Sequence, residues 1–429
     1  MNAGRPGSFS LTGGDLRVEQ IVVVGGGLAG LRTVEELRTR GYQGRVTMLA
    51  AETRPPYDRP PLSKRVLAGE PDAAELGAEI DTTLRADVGA LGLDLRLGEP
   101  ATGLDLAEPG GPGRPGEPGG VVRTAGGGYP FDRLVVATGA APVPLPGSGR
   151  QRFLRTHEDA LALRTLLRPG LRLAIVGAGW IGAELATAAA ARGCLVTVIE
   201  AGPAPLAGAV GAEVGSRTAP WYAAAGIDLR TGQAVESVAD GGLTLPGGGW
   251  LAADEVVTAI GVRPSVQWLA DSGVRLDNGV AADEGLHASA PGVYAVGDCA
   301  SFMSRRFGRR LRFEHWDVAL HAPEVAAANI LGGSEIYDPV PYSWSEQFGR
   351  MMQYAGYHGA ADRRLWRGDP DGGQWAACWL SGPRLVAILT VGRPRDLVQG
   401  RRIIASGAPV DTSLLADPGV PVKNAAQAM

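Results

Sequence analysis

The sequence has little cysteine and little histidine, and both shortages exclude classes of protein. Its 429 residues include only Cys194, Cys299 and Cys378, which lie far apart and form no C-x-x-C pair. A disulfide framework and a cysteine zinc site are therefore excluded. The five histidines show no metal-like pairing with Cys or carboxylates, so we assign no metal site. The net charge of −4 lacks the basic excess of a nucleic-acid binder.

Long apolar runs are also missing. No stretch reaches the ~18 consecutive apolar residues of a membrane helix, and residues 1–16 lack the apolar core of a signal peptide. Three cysteines without a pairing pattern suit a reducing compartment, so the expected location is cytoplasmic. The length and the 45% hydrophobic content predict a folded protein of two to four domains.

Lysine is the most informative shortage. Of the 41 basic residues, 39 are Arg, and the two lysines are Lys64 and Lys423. Coding bias accounts for the general use of Arg. A lysine that is kept inside a specific motif is therefore unusual in this chain.

Two stretches share a pattern of strand, glycine loop, helix and strand. An apolar strand at 21–24 precedes the loop GGGLAG at 25–30, and a strand at 173–176 precedes GAGWIG at 177–182. The G-x-G-x-x-G glycines are Gly25, Gly27 and Gly30 in the first loop and Gly177, Gly179 and Gly182 in the second. Such loops bring backbone amides close to a pyrophosphate at a helix N-terminus. Two of them predict a flavin and a nicotinamide dinucleotide, held as acceptor and donor of hydride.

An acidic residue follows the second repeat. Glu200 ends the strand at 195–199, where a carboxylate accepts from a ribose 2′-hydroxyl and repels a 2′-phosphate. This favours NADH over NADPH, and the alternative is a solvated Glu at a strand end. In the first repeat Ala50 occupies the equivalent position, so Glu52 is only a candidate for the ribose contact.

Later segments predict a return to the first domain and then a third domain. Short strands at 256–261 and 293–296 precede a helix at about 318–331. Strands at 375–380 and 385–391 flank Ser-Gly-Pro, which predicts a hairpin in an α+β domain. The Gly/Pro tract at 107–120 predicts a long connection in a β-meander.

The string PYDRPPLSK at 56–64 is far more specific than a glycine loop. It occurs with Ala137-Thr138-Gly139, Leu154-Arg155-Thr156, Ala259-Ile260-Gly261, Val296-Gly297-Asp298-Cys299-Ala300 and Glu314-His315-Trp316. In these motifs the chain resembles the FAD- and NADH-dependent ferredoxin reductases (putidaredoxin reductase-like, related to apoptosis-inducing factor), over about residues 17 to 415. The resemblance implies an α/β, glutathione-reductase-like flavoprotein with two dinucleotide-binding domains and a C-terminal α+β domain.

The resemblance also implies domain bounds. These are 17–142 with 263–334 for a discontinuous FAD-binding domain, 143–262 for the NAD-binding domain, 335–415 for the C-terminal domain, and 1–16 and 416–429 for flexible tails.

The implied activity is hydride transfer from NADH to FAD, followed by single-electron transfer to an acidic iron–sulfur ferredoxin. The ferredoxin would supply a haem-thiolate monooxygenase or an aromatic-ring dioxygenase. Residues 19–100 contain no Cys, so no dithiol beside the flavin can relay the electrons. Two alternatives stay open: an electron donor to rubredoxin or nitrite reductase, and a redox-sensing flavoprotein resembling apoptosis-inducing factor.

The resemblance assigns site residues by position. Asp298 would receive a ribityl hydroxyl, although Gly-Asp is also a common turn. Arg155 and Lys64 would be flavin-site cations, and Trp316 would line the isoalloxazine. The remaining FAD-binding candidates are Arg59, Ala101, Ala137, Thr138 and Gly139, and the remaining NAD-binding candidate is Gly261.

Lys64 and Glu184 are the predicted catalytic pair. A compact ammonium can sit against the flavin edge where a planar guanidinium would not fit equivalently, and Glu184 matches the acid that pairs with this lysine in similar reductases. The alternative for Lys64 is a structural surface lysine. Trp180 is either a gate between nicotinamide and flavin or a core residue.

A basic run precedes Glu314-His315-Trp316. Residues 305–312 carry five Arg and no acid. Such runs are usually solvated loops, but this one predicts docking of an acidic ferredoxin. The docking residues would be Arg65, Arg305, Arg306, Arg309 and Arg310.

Overall fold

Two parallel sheets and one antiparallel sheet organise the protein. The computed structural model describes residues 18–68, 81–107 and 119–427, so most of the Gly/Pro tract predicted as a connection lies outside the described residues. The segments up to residue 142 are β1 (Gln20–Val24), α1 (Leu28–Thr39), β2 (Arg45–Ala50), a π-helix (Leu62–Val66), β3 (Leu93–Leu97), β4 (Ala101–Leu106), β5 (Gly120–Thr124), β6 (Gly127–Phe131), β7 (Arg133–Val136) and β8 (Ala140–Pro142).

The next segments are α2 (His157–Leu166), β9 (Arg172–Val176), α3 (Trp180–Ala191), β10 (Leu195–Glu200), α4 (Ala207–Val210), α5 (Ala212–Gly215), α6 (Ala219–Ala224), β11 (Asp228–Thr231), β12 (Ser237–Ala239), β13 (Gly242–Leu245), β14 (Gly249–Ala252), β15 (Glu255–Thr258) and β16 (Val262–Pro264). They are followed by β17 (Val280–Ala282), β18 (Val293–Ala295), β19 (Ala300–Ser304), β20 (Arg309–Leu311) and α7 (Trp316–Ile330). The last are β21 (Tyr342–Gln347), β22 (Arg350–Gly356), β23 (Arg363–Arg367), β24 (Trp375–Ser381), β25 (Arg384–Val391), α8 (Pro394–Ser406) and α9 (Thr412–Ala416).

The first parallel sheet has the strand order β18-β7-β1-β2-β3. Ile21, Val22 and Val23 of β1 are fully buried, as expected for a central strand of a sheet covered on both faces. The part of the protein built on this sheet is called the first unit, and the part built on the second parallel sheet is called the second unit. β18 joins the first sheet from beyond the second repeat, so the first unit is discontinuous along the chain. Because β1 lies between β2 and β7, the strand order reverses there, and the loop that follows β1 lies at a topological switch point.

The second parallel sheet repeats this arrangement in the order β11-β10-β9-β15. The loop after β9 therefore also lies at a switch point, between β10 and β15. β8 and β16 pair as an antiparallel ribbon where the chain enters and leaves this unit. A capping box formed by Thr156 and Asp159 begins α2, so the first helix of the unit starts at a defined residue.

The C-terminal sheet is antiparallel, in the order β21-β22-β25-β24-β23. One face packs in a cluster with α8 and α9, which include Leu397 and Leu415. The other face packs Trp375 and Leu389 against Leu206 and Trp221 of the second unit. The sheet therefore joins the C-terminal unit to the second dinucleotide unit.

The end of the chain differs from the sequence-based expectation. Residues 416–429 were expected to form a flexible tail, but a short 3-10 helix at Val422–Ala425 buries Val422 and Ala425 completely. The guanidinium of Arg367 also donates to the carbonyl oxygen of Val420 at 2.5 Å and to that of Leu415 at 3.0 Å. Two apolar residues three positions apart give too little periodicity to predict this packing.

None of the helices in the described ranges combines the length and the apolar character needed to cross a membrane.

Arg367 stabilises the C-terminal unit through a buried ion pair with Asp396. The nitrogen-to-oxygen distance is 2.8 Å, and the Arg367 side chain is 1% exposed. Burial alone would raise the pKa of Asp396, but hydrogen bonds from Arg367 and Arg393 hold it below its ordinary value. A depressed folded-state pKa adds stability that is present above the unfolded pKa and is lost as the pH falls through the folded value.

We expect Arg367→Leu to lower the free energy of unfolding by about 3–5 kcal/mol at neutral pH, because it leaves a buried carboxylate without its main partner. Urea unfolding followed by tryptophan fluorescence measures the loss. Arg363→Leu, an exposed position on the same strand, is the control and should change stability little. The difference between wild type and Arg367→Leu should be largest above the unfolded-state pKa of Asp, about 4, and should shrink as the pH falls from there through the lower folded-state pKa of Asp396. Equal losses in the two variants would contradict the assignment.

Candidate active site

Backbone contacts leave no room for a side chain at the two outer glycines of the first glycine loop. Gly25 has a φ of +128°, and a Cβ atom there would lie 2.1 Å from the carbonyl oxygen of Ala137. A Cβ atom at Gly30 would lie 2.0 Å from the carbonyl oxygen of Gly25. At Gly27, by contrast, a Cβ atom would meet nothing within 4 Å. The outer glycines therefore serve packing, and the middle one borders open space.

The second loop has the same design. A Cβ atom at Gly177 would lie 2.4 Å from the carbonyl oxygen of Ala259, and one at Gly182 would lie 2.0 Å from that of Gly177. The middle residue, Gly179, again borders open space. Since α1 and α3 begin directly after Gly27 and Gly179 without side-chain caps, their first-turn N–H groups are available to an anion. Both loops therefore fit the pyrophosphate of a dinucleotide.

Glu200 closes the second loop from the next strand. Its carboxylate accepts from the backbone N–H of Ala178 at 2.8 Å and from that of Gly202 at 2.7 Å. The carboxylate is therefore fixed at the end of β10 and keeps lone pairs for a sugar hydroxyl. In the first loop a Cβ atom at Gly26 would lie 2.5 Å from the Cβ of Ala50, so that loop packs against a small residue instead of an acid.

Glu52 has partners within the protein. Its oxygens accept from the Tyr57 hydroxyl at 2.6 Å and from Arg59 at 2.6 Å. Burial raises the pKa of Tyr57 well above its ordinary value, so Tyr57 stays a donor. Arg59 also donates to the carbonyl oxygen of Arg155 at 2.6 Å. The predicted FAD residues Glu52, Arg59 and Arg155 thus meet in one network.

Asp298 joins this network through Arg155, at a nitrogen-to-oxygen distance of 3.0 Å. Gly139, with a φ of +66°, lies beside the same guanidinium, since a Cβ atom there would be 3.4 Å from Arg155 Nη2. Thr138 precedes it and is half-buried. Ala101 begins β4 and packs against the apolar cluster of the first sheet instead of joining these charges.

Lys64 and Glu184 meet across the two dinucleotide units. Lys64 Nζ lies 2.8 Å from Glu184 Oε2, and the Glu184 side chain is 4% exposed. Lys64 lies on the π-helix at Leu62–Val66, a rare geometry that is often found at functional sites. Ser63 and Ser345 also donate to Glu184. Sequence reasoning missed Ser345, because nothing in its local pattern distinguishes a buried serine on a strand.

Trp316 is held at the start of α7. Its indole N–H donates to Asp58 Oδ1 at 2.7 Å, and Trp344 packs against it edge-on with ring centroids 5.7 Å apart. Burial lowers the pKa of the neighbouring His315. Asp58 lies inside the string at 56–64 and was available to sequence reasoning, but its partnership with Trp316 was not predicted.

Three large apolar residues lie in or beside the second loop, two of them in the loop and the third in the segment after β15. Trp180 is half-buried and packs against the cluster that joins the second unit to the C-terminal sheet. Ile181 and Ile260 are 43% and 40% exposed, and Ile260 precedes Gly261. Exposed isoleucines beside a dinucleotide loop are candidates for nicotinamide contact that the sequence did not single out. The gate role of Trp180 stays a prediction.

Ion pairs neutralise part of the positive charge of the basic run at 305–312. Arg305 forms an ion pair with Glu284, and Arg310 lies 3.6 Å from Asp277. Arg310 also donates to the carbonyl oxygen of Ala282 at 2.7 Å. These acids lie about 20 to 35 positions away in the sequence, so counting charges along 305–312 overstated the positive field of this segment.

Other members of the run have different roles. Arg306 donates to the carbonyl oxygens of Ile404 and Ala405 near the end of α8. Arg309 is exposed, with its guanidinium 5.3 Å from the ring centroid of Tyr357. Arg65 donates to a backbone carbonyl oxygen. Docking at these residues stays a prediction, for which Arg309 is an exposed candidate.

The cysteines are buried, and burial raises the pKa of each thiol, that of Cys378 to about 12. None is therefore available as a reactive thiolate. Within the described ranges, no group of three His, Cys, Asp or Glu side chains is arranged to hold a metal ion.

Two glycine loops at two switch points, in units that the Lys64–Glu184 ion pair joins, define an oxidoreductase of the class that binds two dinucleotides. The family described as pyridine nucleotide-disulphide oxidoreductase matches residues 19–322, and the family described as reductase C-terminal matches 342–426. The chain belongs to the pyridine nucleotide-disulphide oxidoreductase family, among its ferredoxin reductases. Its α/β fold with a C-terminal α+β unit agrees with the expectation from sequence.

The ferredoxin–NAD(+) reductase component of the anthranilate 1,2-dioxygenase system of Burkholderia cepacia is 35% identical, covering 95% of this chain and 99% of that protein. The crystal structure of Fdr9 is 48% identical with a TM-score of 0.86, covering 94% and 99% of the two chains. The putidaredoxin reductase in a covalent complex with putidaredoxin is 31% identical with a TM-score of 0.85, covering 95% and 97%.

The two kinds of glycine should respond differently to substitution. We expect Gly27→Val to keep the fold but to lose bound FAD, because the new side chain enters space that the structure leaves open for a ligand. Gly25→Ala should instead impair folding, because its Cβ atom would overlap the carbonyl oxygen of Ala137. Circular dichroism reports the fold, and visible absorbance reports the bound flavin. Full flavin content in Gly27→Val would contradict the assignment.

Proposed function

We propose that this protein oxidises NADH and delivers single electrons, through a bound FAD, to an iron–sulfur ferredoxin. The observation that carries the proposal is the Lys64–Glu184 ion pair, which spans the two units that carry the glycine loops. The relatives support the partner, since one is a reductase component of a dioxygenase system and another forms a complex with putidaredoxin. We therefore infer that the ferredoxin supplies a haem-thiolate monooxygenase or an aromatic-ring dioxygenase.

The first unit is the proposed FAD site. The loop that contains Gly27 would bind the pyrophosphate, and the network of Glu52, Arg59, Arg155 and Asp298 would hold the sugar and ribityl portions. FAD would supply the conversion between a two-electron hydride donor and single-electron transfer. Lys64 contributes a fixed positive charge, which favours negative charge that develops nearby, and Glu184 reduces this effect while it fixes the position of Lys64.

The second unit is the proposed NADH site. Glu200 is fixed by the N–H groups of Ala178 and Gly202, so its negative charge cannot easily move away from a 2′-phosphate. We infer a preference for NADH over NADPH from this arrangement.

Electrons are inferred to leave without a thiol relay, because the three cysteines are buried with raised pKa values. Three free thiols also support a reducing compartment, and we propose a cytoplasmic location.

Lys64→Met should slow flavin reduction by saturating NADH at least about tenfold, since a charge worth up to about 4 kcal/mol at close range is lost. Stopped-flow absorbance of the FAD-loaded protein measures the rate. Lys423→Met is the matched control, because it makes the same substitution at the other lysine, which is exposed in the C-terminal 3-10 helix. An unchanged rate in Lys64→Met would refute the proposed role of this ammonium.

Arg309→Glu should raise the KM for an acidic ferredoxin about three- to tenfold at low salt, and the effect should diminish as added salt screens the charges. Coupled cytochrome reduction measures the KM. Arg168→Glu makes the same net charge change at an exposed position in the second unit and controls for overall charge. If both variants behave alike, Arg309 does not take part in docking.

A further inference from the structure

The Glu184 carboxylate connects three distant parts of the chain. Oε2 receives Lys64 Nζ at 2.8 Å and the Ser63 hydroxyl, both from the π-helix of the first unit. Oε1 receives the Ser345 hydroxyl at 2.6 Å and the backbone N–H of Glu346 at 3.2 Å, both from β21 of the C-terminal sheet. Each carboxylate oxygen is thus assigned to a different part of the protein.

The hydroxyl group of Ser345 can act only as a hydrogen-bond donor toward Glu184. It is fully buried, and its hydroxyl oxygen accepts from the side-chain amide of Gln347 at 2.9 Å. Since the Gln347 amide supplies the hydrogen of that bond, the single hydroxyl hydrogen of Ser345 is directed to Glu184. A buried carboxylate is costly unless donors satisfy it, so this hydrogen bond has a strong influence on how Glu184 is oriented.

We propose that Ser345 is a positioning residue that controls the placement of the Lys64 ammonium through Glu184. The inference rests on the proposed role of Lys64 in flavin reduction. With Oε1 held by β21, Oε2 is turned toward Lys64 and Ser63. Without the Ser345 hydrogen, one of two donors to Oε1 is lost, the carboxylate can rotate, and the ammonium loses its fixed position.

The test compares Ser345→Ala and Ser345→Cys with Ser343→Ala in the full-length, FAD-loaded protein. Ser343→Ala makes the same change two residues away on the same strand. Ser345→Cys keeps a weak donor of similar shape, so it preserves packing if the alanine variant folds poorly.

Ser345→Ala should lower the rate of flavin reduction at saturating NADH by about three- to tenfold, the size of one weakened charge-assisted hydrogen bond. The apparent affinity for NADH should stay within about twofold of wild type, because the effect concerns the reaction step and not binding. Ser345→Cys should lie between wild type and Ser345→Ala. The midpoint potential of bound FAD, a readout independent of turnover, should fall in both Ser345→Ala and Lys64→Met.

A double-mutant cycle separates positioning from a general structural effect. In the Lys64→Met background, Ser345→Ala should change neither the rate nor the potential further, because its effect passes through Lys64. Additive losses, or a Ser345→Ala variant that matches Ser343→Ala, would overturn the inference about Ser345 and leave the proposed role of Lys64 intact. If Lys64→Met itself changed neither the rate nor the potential, the proposed role of Lys64 would fail first and the Ser345 inference would fail with it.

Discussion

The site depends on one steric constraint, the contact of each glycine loop with the backbone of a neighbouring strand or its extension. Gly25 is pressed against the carbonyl of Ala137, and Gly177 against that of Ala259. These contacts tie the loop after the first strand of each unit to the segment after the strand beside it. The motif Ala137-Thr138-Gly139 is thereby brought to the FAD loop, and Ile260-Gly261 to the NAD loop. The remaining site residues are arranged around these two fixed edges.

The cations of the site are held in place by individual hydrogen-bonded or ion-paired partners, and they do not form a cluster of unpaired positive charge. Arg59 and Arg155 are each tied to a carboxylate or a carbonyl of the FAD network, and Lys64 is tied to Glu184. Paired, partly buried charges keep a defined position, whereas exposed charges are screened within roughly a Debye length. The flavin-side cations are therefore suited to act at fixed points, and only an exposed group such as Arg309 is suited to long-range attraction.

The sequence was sufficient where function depends on local repetition. Both glycine loops, their flanking strands and Glu200 followed from spacing, because a turn between strand and helix is specified by adjacent residues. The pairing of Lys64 with Glu184 came only through the family resemblance, since no local rule connects residues 120 positions apart. Ser345 and the acids that neutralise Arg305 and Arg310 were missed for the same reason. The folded segment at 416–427 was missed because its partner, Arg367, lies on a distant strand.

The three-way contact at Glu184 has a consequence for biosynthesis. Its donors are separated from it by 120 and 161 residues along the chain, so the complete arrangement is a long-range one in the sense that governs folding rates. The ribosome releases the glycine loops and Lys64 well before β21 exists. A nascent chain can therefore contain the glycine loops of both nucleotide-binding units while it still lacks Ser345. This donor reaches Glu184 only after the C-terminal sheet has been synthesised and has packed against the rest of the protein. The set of hydrogen-bond donors to the Glu184 carboxylate is thus complete only late in synthesis of the chain.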